Sequence, residues 1–542
     1  MIGGDPCRYN QVVVKRAACL LLVPVVFFLC AALHAQETST SAATSGRTLL
    51  VIPFENTSPT PGLEWLGEAF PAAFGWQLDS PLLYVVTREE RLRAYDRQGI
   101  PAGVHPSRAT IYRIAEQMDV DYAVLGSYSY DGTNLTATAQ VLDMRAQKLM
   151  PAFSESARLS ELGNLQSALA WDVLRAVRTN FSVPQDRYVA GVPPMRLDAM
   201  ESFIRGMLAT TGDEKLEHFR DAVRLNPAFS EAWLELGKAL FGQKLYEPAM
   251  ASFEKIPASA KSAREANFYL GLSSYAHGDF DKAETAFEFV AARLPLAEVY
   301  NNLGVVADRR GQKKAAEYFE RAIQNDPSDP DYHFNLGVTL SRTGDKAKAA
   351  RELRIALDDR PGDAEAKALL DSLGAPSAGA PSLKLPSERL NRNYQESAFR
   401  EMTTQMQGWA EAQFARSNPR AHALYHVELG RELLAHGFST EAETEFRHAA
   451  AVDPSSPAPL AALADVYDSR GDAAGARAQA EASLRLRESA DAYAVLARLD
   501  LRENRMDAAS TNVTRALQLD PRNAQARDLK QALAAKLAEE QR

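Results

Sequence analysis

From about residue 198 to the end of the chain, small and apolar residues recur with a period of 33 or 34 residues. The clearest marker is a Leu followed by Gly or Ala, with the small residue at positions Gly237, Gly271, Gly304, Gly337, Gly430, Ala464 and Ala497. In each copy, a second small residue and then an apolar residue four positions later follow, as in Ala315 and Phe319. This spacing predicts two amphipathic helices in every copy.

The residue types of the pattern indicate how the two helices pack. A Gly or Ala on the first helix lets the second helix approach closely, and the large apolar residue of the second helix fills the remaining space. Gly278 and Gly344 stand between the helices, and a Pro such as Pro327 or Pro361 ends the second helix. A single hairpin cannot bury its apolar face, so we expect the hairpins to stack into a solenoid with a concave groove. A degenerate eighth copy is expected at 198–228, where Phe219, Ala222 and Pro227 keep the spacing.

Residues 47–185 show a different pattern, in which short apolar runs alternate with helical spacing. Strands are predicted at 48–54, 82–87, 122–130 and 135–143, and helices at 63–78, 108–118 and 159–177. Asp131 and Gly132 form a typical hairpin turn between the last two strands. The sequence therefore predicts a small α/β domain with a mixed sheet.

The fold class is thus α+β and multidomain: a small mixed-sheet domain followed by an α-helical solenoid in two blocks. The predicted units are a signal peptide at 1–35, a flexible leader at 36–46, the α/β domain at 47–185, a first block of five repeats plus a cap at 198–373, a linker at 374–386, a helical connector at 387–416, and a second block of three repeats plus a terminal helix at 420–542. The linker is rich in Ala, Pro, Ser and Gly, whereas the connector has helically spaced Leu390, Tyr394, Phe399 and Trp409.

The first 35 residues have the order of a secretory signal peptide. A basic stretch precedes an uncharged apolar run at 17–32, and a small residue, Ala35, precedes polar sequence. We expect cleavage after Ala35 and export to the periplasm or cell envelope, so that membrane contact occurs only if this segment is retained. All 3 cysteines lie within it, at Cys7, Cys19 and Cys30, so the exported chain is expected to lack thiol chemistry.

Composition and charge narrow the function classes further. The 542 residues carry 61 Lys and Arg against 70 Asp and Glu, a net charge of −9, which gives no general field for nucleic acid. No phosphate-binding Gly-rich loop, zinc-protease helix motif or nucleophile elbow occurs, and no small-molecule substrate is evident. We therefore expect no catalytic residue, no metal and no cofactor.

Two resemblances add to this interpretation. The helical copies resemble the tetratricopeptide repeat (TPR). Residues 51–56, VIPFEN, and 120–143, VDYAVLGSYSYDGTNLTATAQVLD, resemble the N-terminal domain of TolB and the TolB-like domains that precede helical repeats in bacterial envelope proteins. The first resemblance implies a groove that binds proteins or peptides, and the second implies a non-catalytic interaction module. Together they imply an exported scaffold or adaptor.

The TPR resemblance also implies which side chains bind a partner. Asn302 and Asn335 occupy equivalent positions, at which relatives hydrogen-bond the backbone of an extended peptide. Arg309 and Arg342 lie two helical turns further on and are expected to bind a carboxylate. Phe268, Tyr275 and Phe334 are expected to add apolar pockets.

Two alternatives belong to other classes. Four histidines of the second block, His422, His426, His436 and His448, include an i,i+4 pair, which suits a metal-dependent or hydrolytic enzyme. However, His426 occupies the aromatic position of its repeat, which favours a structural role. The other alternative is a structural or secretion-assembly component of the envelope that associates through the ends of the solenoid.

Overall fold

The computed structural model describes residues 47–58, 60–80, 82–178, 181, 183–374, 386, 388–403, 418–435 and 439–540. The expected signal peptide and leader, nearly all of the linker at 374–386, the second half of the connector at 387–416, and His436 lie outside the described residues. Among the described residues, no helix is both long and apolar enough to cross a membrane.

The N-terminal domain is built on a mixed sheet. Strand β1 (Arg47–Val51) pairs in parallel with β3 (Leu83–Val85) and with β4 (Tyr122–Tyr130), and the short β2 (Glu55–Asn56) also pairs in parallel with β4. The long β5 (Asn134–Asp143) runs antiparallel to β4 and to both β6 (Lys148–Leu149) and β7 (Phe153–Arg158). The strands predicted from the pattern are present, while β2, β6 and β7 are additional.

Helices cover both faces of this sheet because side chains of a strand alternate between its faces. Leu49 and Val51 of β1 pack with α1 (Leu66–Leu78) and α4 (Leu162–Val177), whereas Leu50 and Ile52 pack with α2 (Arg88–Arg97) and α3 (Arg108–Gln117). The sequence prediction missed α2, which is mostly polar. A capping box between Thr87 and Glu90 begins this helix.

The remaining helices form hairpins. After the short α5 (Gln185–Ala190), the first block contains α6 (Leu197–Leu208), α7 (Gly212–Leu225), α8 (Ser230–Gly242), α9 (Tyr246–Phe253), α10 (Ala263–His277), α11 (Phe280–Ala291), α12 (Ala297–Arg309), α13 (Ala315–Asn325), α14 (Pro330–Thr343), α15 (Lys346–Asp359) and, at the place of the expected cap, α16 (Ala364–Gly374). The second block contains α17 (Pro419–Ala435), α18 (Ser439–Val452), α19 (Ala458–Ser469), α20 (Ala473–Leu486), α21 (Ala490–Arg502), α22 (Met506–Leu519) and the terminal α23 (Ala524–Glu540). The described residues thus contain eight hairpins.

Glycine determines how closely the two helices of a hairpin approach. A Cβ atom placed on Gly304 would lie 2.5 Å from Cε1 of Phe319, which is closer than atoms in van der Waals contact. The same aromatic contact occurs at Gly237, Gly271 and Gly430. The turn glycines act differently, since Gly278 and Gly344 end their helices with φ of 94° and 93°.

The α/β domain packs against both blocks. Its Trp76 contacts Phe203 and Phe229 of the first hairpins, and one hydrophobic core continues from the sheet into these hairpins. On the other side, the guanidinium of Arg178 donates a 2.8 Å hydrogen bond to Glu445 of the second block, with both side chains buried.

The prediction of a helical connector at 387–416 is wrong for its first part. Residues 388–395 are not helical, and helical structure begins at residue 396 and continues to 403. The physical reason is that the backbone of this segment hydrogen-bonds side chains of the first block, so its polar groups are satisfied without a helix.

Candidate functional site

Three buried asparagines lie on the concave side of the first block. Asn301 and Asn302 belong to α12, and Asn335 occupies on α14 the position equivalent to Asn302. All three side chains are fully buried. An amide side chain can donate and accept hydrogen bonds at the same time, so these residues form a ladder that fits an extended backbone.

The chain's own residues 388–396, here named the groove segment, occupy this ladder. Asn335 accepts from the backbone N–H of Arg389 through Oδ1 at 2.7 Å and donates from Nδ2 to the carbonyl of Arg389 at 2.8 Å. Asn302 makes the same two contacts with Asn391, at 2.9 and 2.8 Å. Asn301 donates to the carbonyl of Arg389 at 2.9 Å. The ladder therefore recognises alternate residues of an extended chain through their main-chain atoms.

The two arginines expected to bind a carboxylate both face Glu388 of the groove segment. The guanidinium of Arg342 lies 2.5 Å from Oε1 of Glu388, and that of Arg309 lies 3.5 Å from Oε2. Only 2 % of the Glu388 side chain is exposed. The phenol oxygen of Tyr275 accepts a 3.1 Å hydrogen bond from Nε of Arg309, and Tyr275 also packs in the hydrophobic cluster that includes Leu390.

The next pocket of the groove is acidic and holds Arg389. Its guanidinium contacts Asp363 at 2.5 Å and Asp331 at 2.8 Å, and it lies 3.6 Å from the ring centroid of Phe334. The hydrogen bonds from Arg389 lower the pKa of Asp363 to about 2. At Asp331, burial raises the pKa, but the guanidinium groups of Arg360 and Arg389 outweigh it and hold the pKa below its ordinary value.

The far end of the groove segment inserts an aromatic ring. Tyr394 packs against Phe268, with ring centroids 5.0 Å apart. The carboxylate of Glu396 lies 2.5 Å from the guanidinium of Arg264. Beyond it, Arg400 forms an ion pair with Asp79 of the α/β domain. The segment therefore contacts three successive hairpins, and the helical residues that follow it contact the N-terminal domain.

A buried carboxylate of α12, Glu298, binds the groove segment through the N–H of Gln395 at 2.7 Å. Burial raises the pKa of Glu298 from its ordinary value of 4.5 to about 7, and Asp326 and Glu396 contribute, whereas the hydrogen bond from Gln395 opposes the shift. Because the folded state holds this proton more tightly, the stabilising contribution is complete below pH 4.5 and is lost as the pH rises through 7.

Replacing Glu298 with Gln should therefore raise the free energy of unfolding at pH 8 by about 1–3 kcal/mol, and by much less at pH 5, because the amide keeps the acceptor and removes the buried charge. Urea unfolding at both pH values measures this. Glu320→Gln, at an exposed position of α13, is the control and should change stability little at either pH. Equal effects of Glu298→Gln at both pH values would contradict the assignment.

The histidines of the second block also come together. Nδ1 of His426 lies 2.8 Å from Oε2 of Glu445, and Nε2 of His426 lies 3.0 Å from Nε2 of His422. His426, Glu445 and His448 offer atoms within 4.8 Å of one another, a spacing that would suit a metal with imidazole ligands such as Zn²⁺.

A repeated contact favours a structural role for this cluster. In the first block, Nδ1 of His333 lies 2.8 Å from Oε2 of Glu352, and these residues are 19 positions apart, as are His426 and Glu445. The two pairs thus occupy equivalent places in two hairpins, and Arg178 completes the second pair by binding Glu445. The metal-dependent enzyme remains a prediction, and no observation on these residues favours it over packing.

Sequence reasoning placed Asn302, Asn335, Arg309, Arg342, Phe268, Tyr275 and Phe334 on one surface, and the structure brings them together around the groove segment. The sequence prediction missed the acidic pocket formed by Asp331 and Asp363. It also missed Arg264 and Glu298. The prediction also left out Asn301 of the ladder, although its position directly before Asn302 in the sequence was a signal that could have identified it. The identity of the occupant carried no local signal, because even the hydrogen bonds of the asparagine ladder join residues 54 to 89 positions apart.

The stacked hairpins with their buried asparagine ladder define a helical-repeat solenoid. The family model described as "Tetratricopeptide repeat" matches residues 216–267, 268–330, 313–364 and 427–493. These parts of the chain are therefore tetratricopeptide repeats, and proteins built from such repeats act as interaction scaffolds. No curated protein matches the sequence.

Several solved structures are similar to parts of the chain. MamA of Desulfovibrio magneticus RS-1 (residues 41 to its end) is 23% identical over 31% of this chain and 99% of that one, with a TM-score of 0.30. YrrB, described as "a TPR protein with an unusual peptide-binding site", is 20% identical over 33% and 93%, with a TM-score of 0.29. The C-terminal domain of LpoB from Salmonella enterica is 15% identical over 21% and 84%, with a TM-score of 0.19. At these scores, nothing about the function of this chain follows from the likenesses.

Proposed function

We propose that the chain is a non-catalytic scaffold whose first block binds extended protein segments in its concave groove. The observation that carries this proposal is the double hydrogen bonding of Asn302 and Asn335 to backbone N–H and C=O groups two residues apart. This arrangement fits an extended chain and makes no demand on the side chains between the ladder residues, so it serves binding rather than chemistry.

The proposal includes a second interaction surface and a location. The α/β domain is proposed to be a TolB-like module, supported by VIPFEN at 51–56 and by the strand pair that follows. Export to the bacterial envelope is supported by the basic, apolar and small-residue order of the first 35 residues. In this function, one partner binds the α/β domain and another binds the groove.

The test is a quantitative pull-down with the exported chain as bait in an envelope extract. Both baits carry Arg389→Glu, which frees the ladder from the groove segment, because that segment uses the same hydrogen bonds. In this background, Asn302→Ala with Asn335→Ala should recover at least one partner at least tenfold less well, because four main-chain hydrogen bonds of about 0.5–1 kcal/mol each are lost. Asn393→Ala, at an exposed position, is the matched control and should leave recovery unchanged. Equal recovery of every partner by the double variant would remove the groove from the function.

A further inference from the structure

The side chains of the groove segment are matched by charge to the pockets that hold them. Two arginines face Glu388, two aspartates face Arg389, an apolar ring faces Tyr394, and Arg264 faces Glu396. The asparagine ladder alone would accept any extended chain, so these pockets are what give the groove a preference. The order of charges along the groove therefore describes the ligand.

The groove holds only one segment at a time. Both polar atoms of the Asn302 and Asn335 amides already bind the backbone of residues 389 and 391. The ring of Phe334 is covered by Arg389, and the carboxylate of Glu388 lies between Arg309 and Arg342. An outside segment that uses these same atoms has to displace the groove segment first.

We infer, on the basis of the proposed function, that the groove segment is a tethered competitor. The partner it competes with is an extended protein segment that carries an acid followed directly by Arg, then an aromatic residue five positions after the Arg and an acid two positions later. This is the order of Glu388, Arg389, Tyr394 and Glu396. A partner that combines these groups with additional contacts opens the groove, whereas weaker segments are excluded.

The covalent connection makes the competition strong. A tethered ligand has an effective concentration on the order of 1 mM. If the open groove binds such a segment with a Kd of about 10 µM, the tether raises the Kd measured for an outside peptide roughly a hundredfold.

The test measures binding of a fluorescein-labelled synthetic peptide, PSERLNRNYQE, to the full chain by fluorescence anisotropy. The sequence of this peptide is that of residues 386–396. Arg389→Glu places a negative charge against Asp331 and Asp363 and should release the tethered copy, so this variant should bind the peptide at least tenfold more tightly than the wild type. Arg392→Glu makes the same change at an exposed position of the segment and should bind like the wild type.

The outcomes separate the two proposals. If Arg389→Glu and the wild type bind the peptide equally tightly, the groove segment is not a competitor, while the binding function of the groove stands. If Arg389→Glu keeps its thermal unfolding transition but binds no peptide, the groove does not accept segments from outside, and the proposed function fails. Adding Asn302→Ala and Asn335→Ala to Arg389→Glu should abolish binding, and retained binding would place the peptide elsewhere.

A second measurement needs no variant and so does not depend on the stability of Arg389→Glu. Hydrogen exchange of the wild-type chain is followed by mass spectrometry with and without excess labelled peptide, which differs in mass from the chain's own fragments. The amides of Arg389 and Asn391 should exchange at least tenfold faster when the peptide is present, because their acceptors Asn335 and Asn302 are then occupied. Unchanged exchange at a peptide concentration that saturates binding would overturn the inference.

Discussion

Replacing Arg178 with Met should lower the free energy of unfolding by about 3–5 kcal/mol, because it leaves the buried carboxylate of Glu445 without its cation. The side chains of Arg178 and Glu445 are 5% and 0% exposed, and they lie 2.8 Å apart. Since this ion pair joins the α/β domain to the second block, the thermal transition should split, with the second block unfolding first. Differential scanning calorimetry of the full chain measures both effects.

An exposed ion pair with the same separation is the control. Arg321 and Glu317 are also 2.8 Å apart, but 48% and 61% of their side chains are exposed, so Arg321→Met should cost less than about 0.5 kcal/mol. Combining Arg178→Met with Glu445→Gln should restore part of the lost stability, because the uncompensated charge is removed. A single unshifted transition in Arg178→Met would show that the contact does not hold the second block.

Replacing Gly304 with Ala should destabilise the first block by about 2–3 kcal/mol. The new Cβ would lie 2.5 Å from Cε1 of Phe319, so the ring has to move within a closely packed hairpin. Gly75→Ala is the matched control, because it also places a methyl group within a helix but meets no atom within 4 Å. That variant should be stabilised by roughly 0.5–1 kcal/mol. Urea unfolding of both variants measures the difference.

The chain itself contains the compensating change. Where the second block has Ala464 or Ala497 in place of Gly, the partner position holds Ala480 or Val513 in place of Phe. Adding Phe319→Val to Gly304→Ala should accordingly recover most of the stability that Gly304→Ala removes. The double variant should lose less free energy of unfolding than the sum of the losses in the two single variants. If the effects simply add, the close contact is not the cause.

The helical hairpins could be predicted because each one repeats the same spacing of small and apolar residues. A Gly such as Gly304 and an aromatic residue such as Phe319 recur at fixed spacing, and the two residues that contact each other belong to the same repeat. The strands β4 and β5 could be predicted equally well, since a short turn at Asp131 joins two runs in which apolar and polar residues alternate. By contrast, α2 is mostly polar and depends on a capping box at Thr87, which periodicity does not reveal.

The residues that line the groove could be predicted from the sequence, but the segment that occupies it could not. The residues that line it, such as Asn302 and Arg342, belong to repeats and keep equivalent positions, so their convergence follows from the period. The occupant does not follow from it, because Leu390, Tyr394 and Phe399 have a spacing that favours a helix when considered locally. Hydrogen bonds to side chains far away in the sequence, at Asn302 and Asn335, outweigh that preference.

The continuous core between the sheet and the first hairpins has a consequence for how such a chain changes length. Trp76 lies against Phe203 and Phe229, so the α/β domain shields the apolar end face that the first hairpin would otherwise present to water. This end of the array cannot receive a further repeat without losing that shield. Insertion or duplication of repeats is therefore compatible with folding only downstream of this junction, and the length of the solenoid is free to vary while its starting point stays fixed.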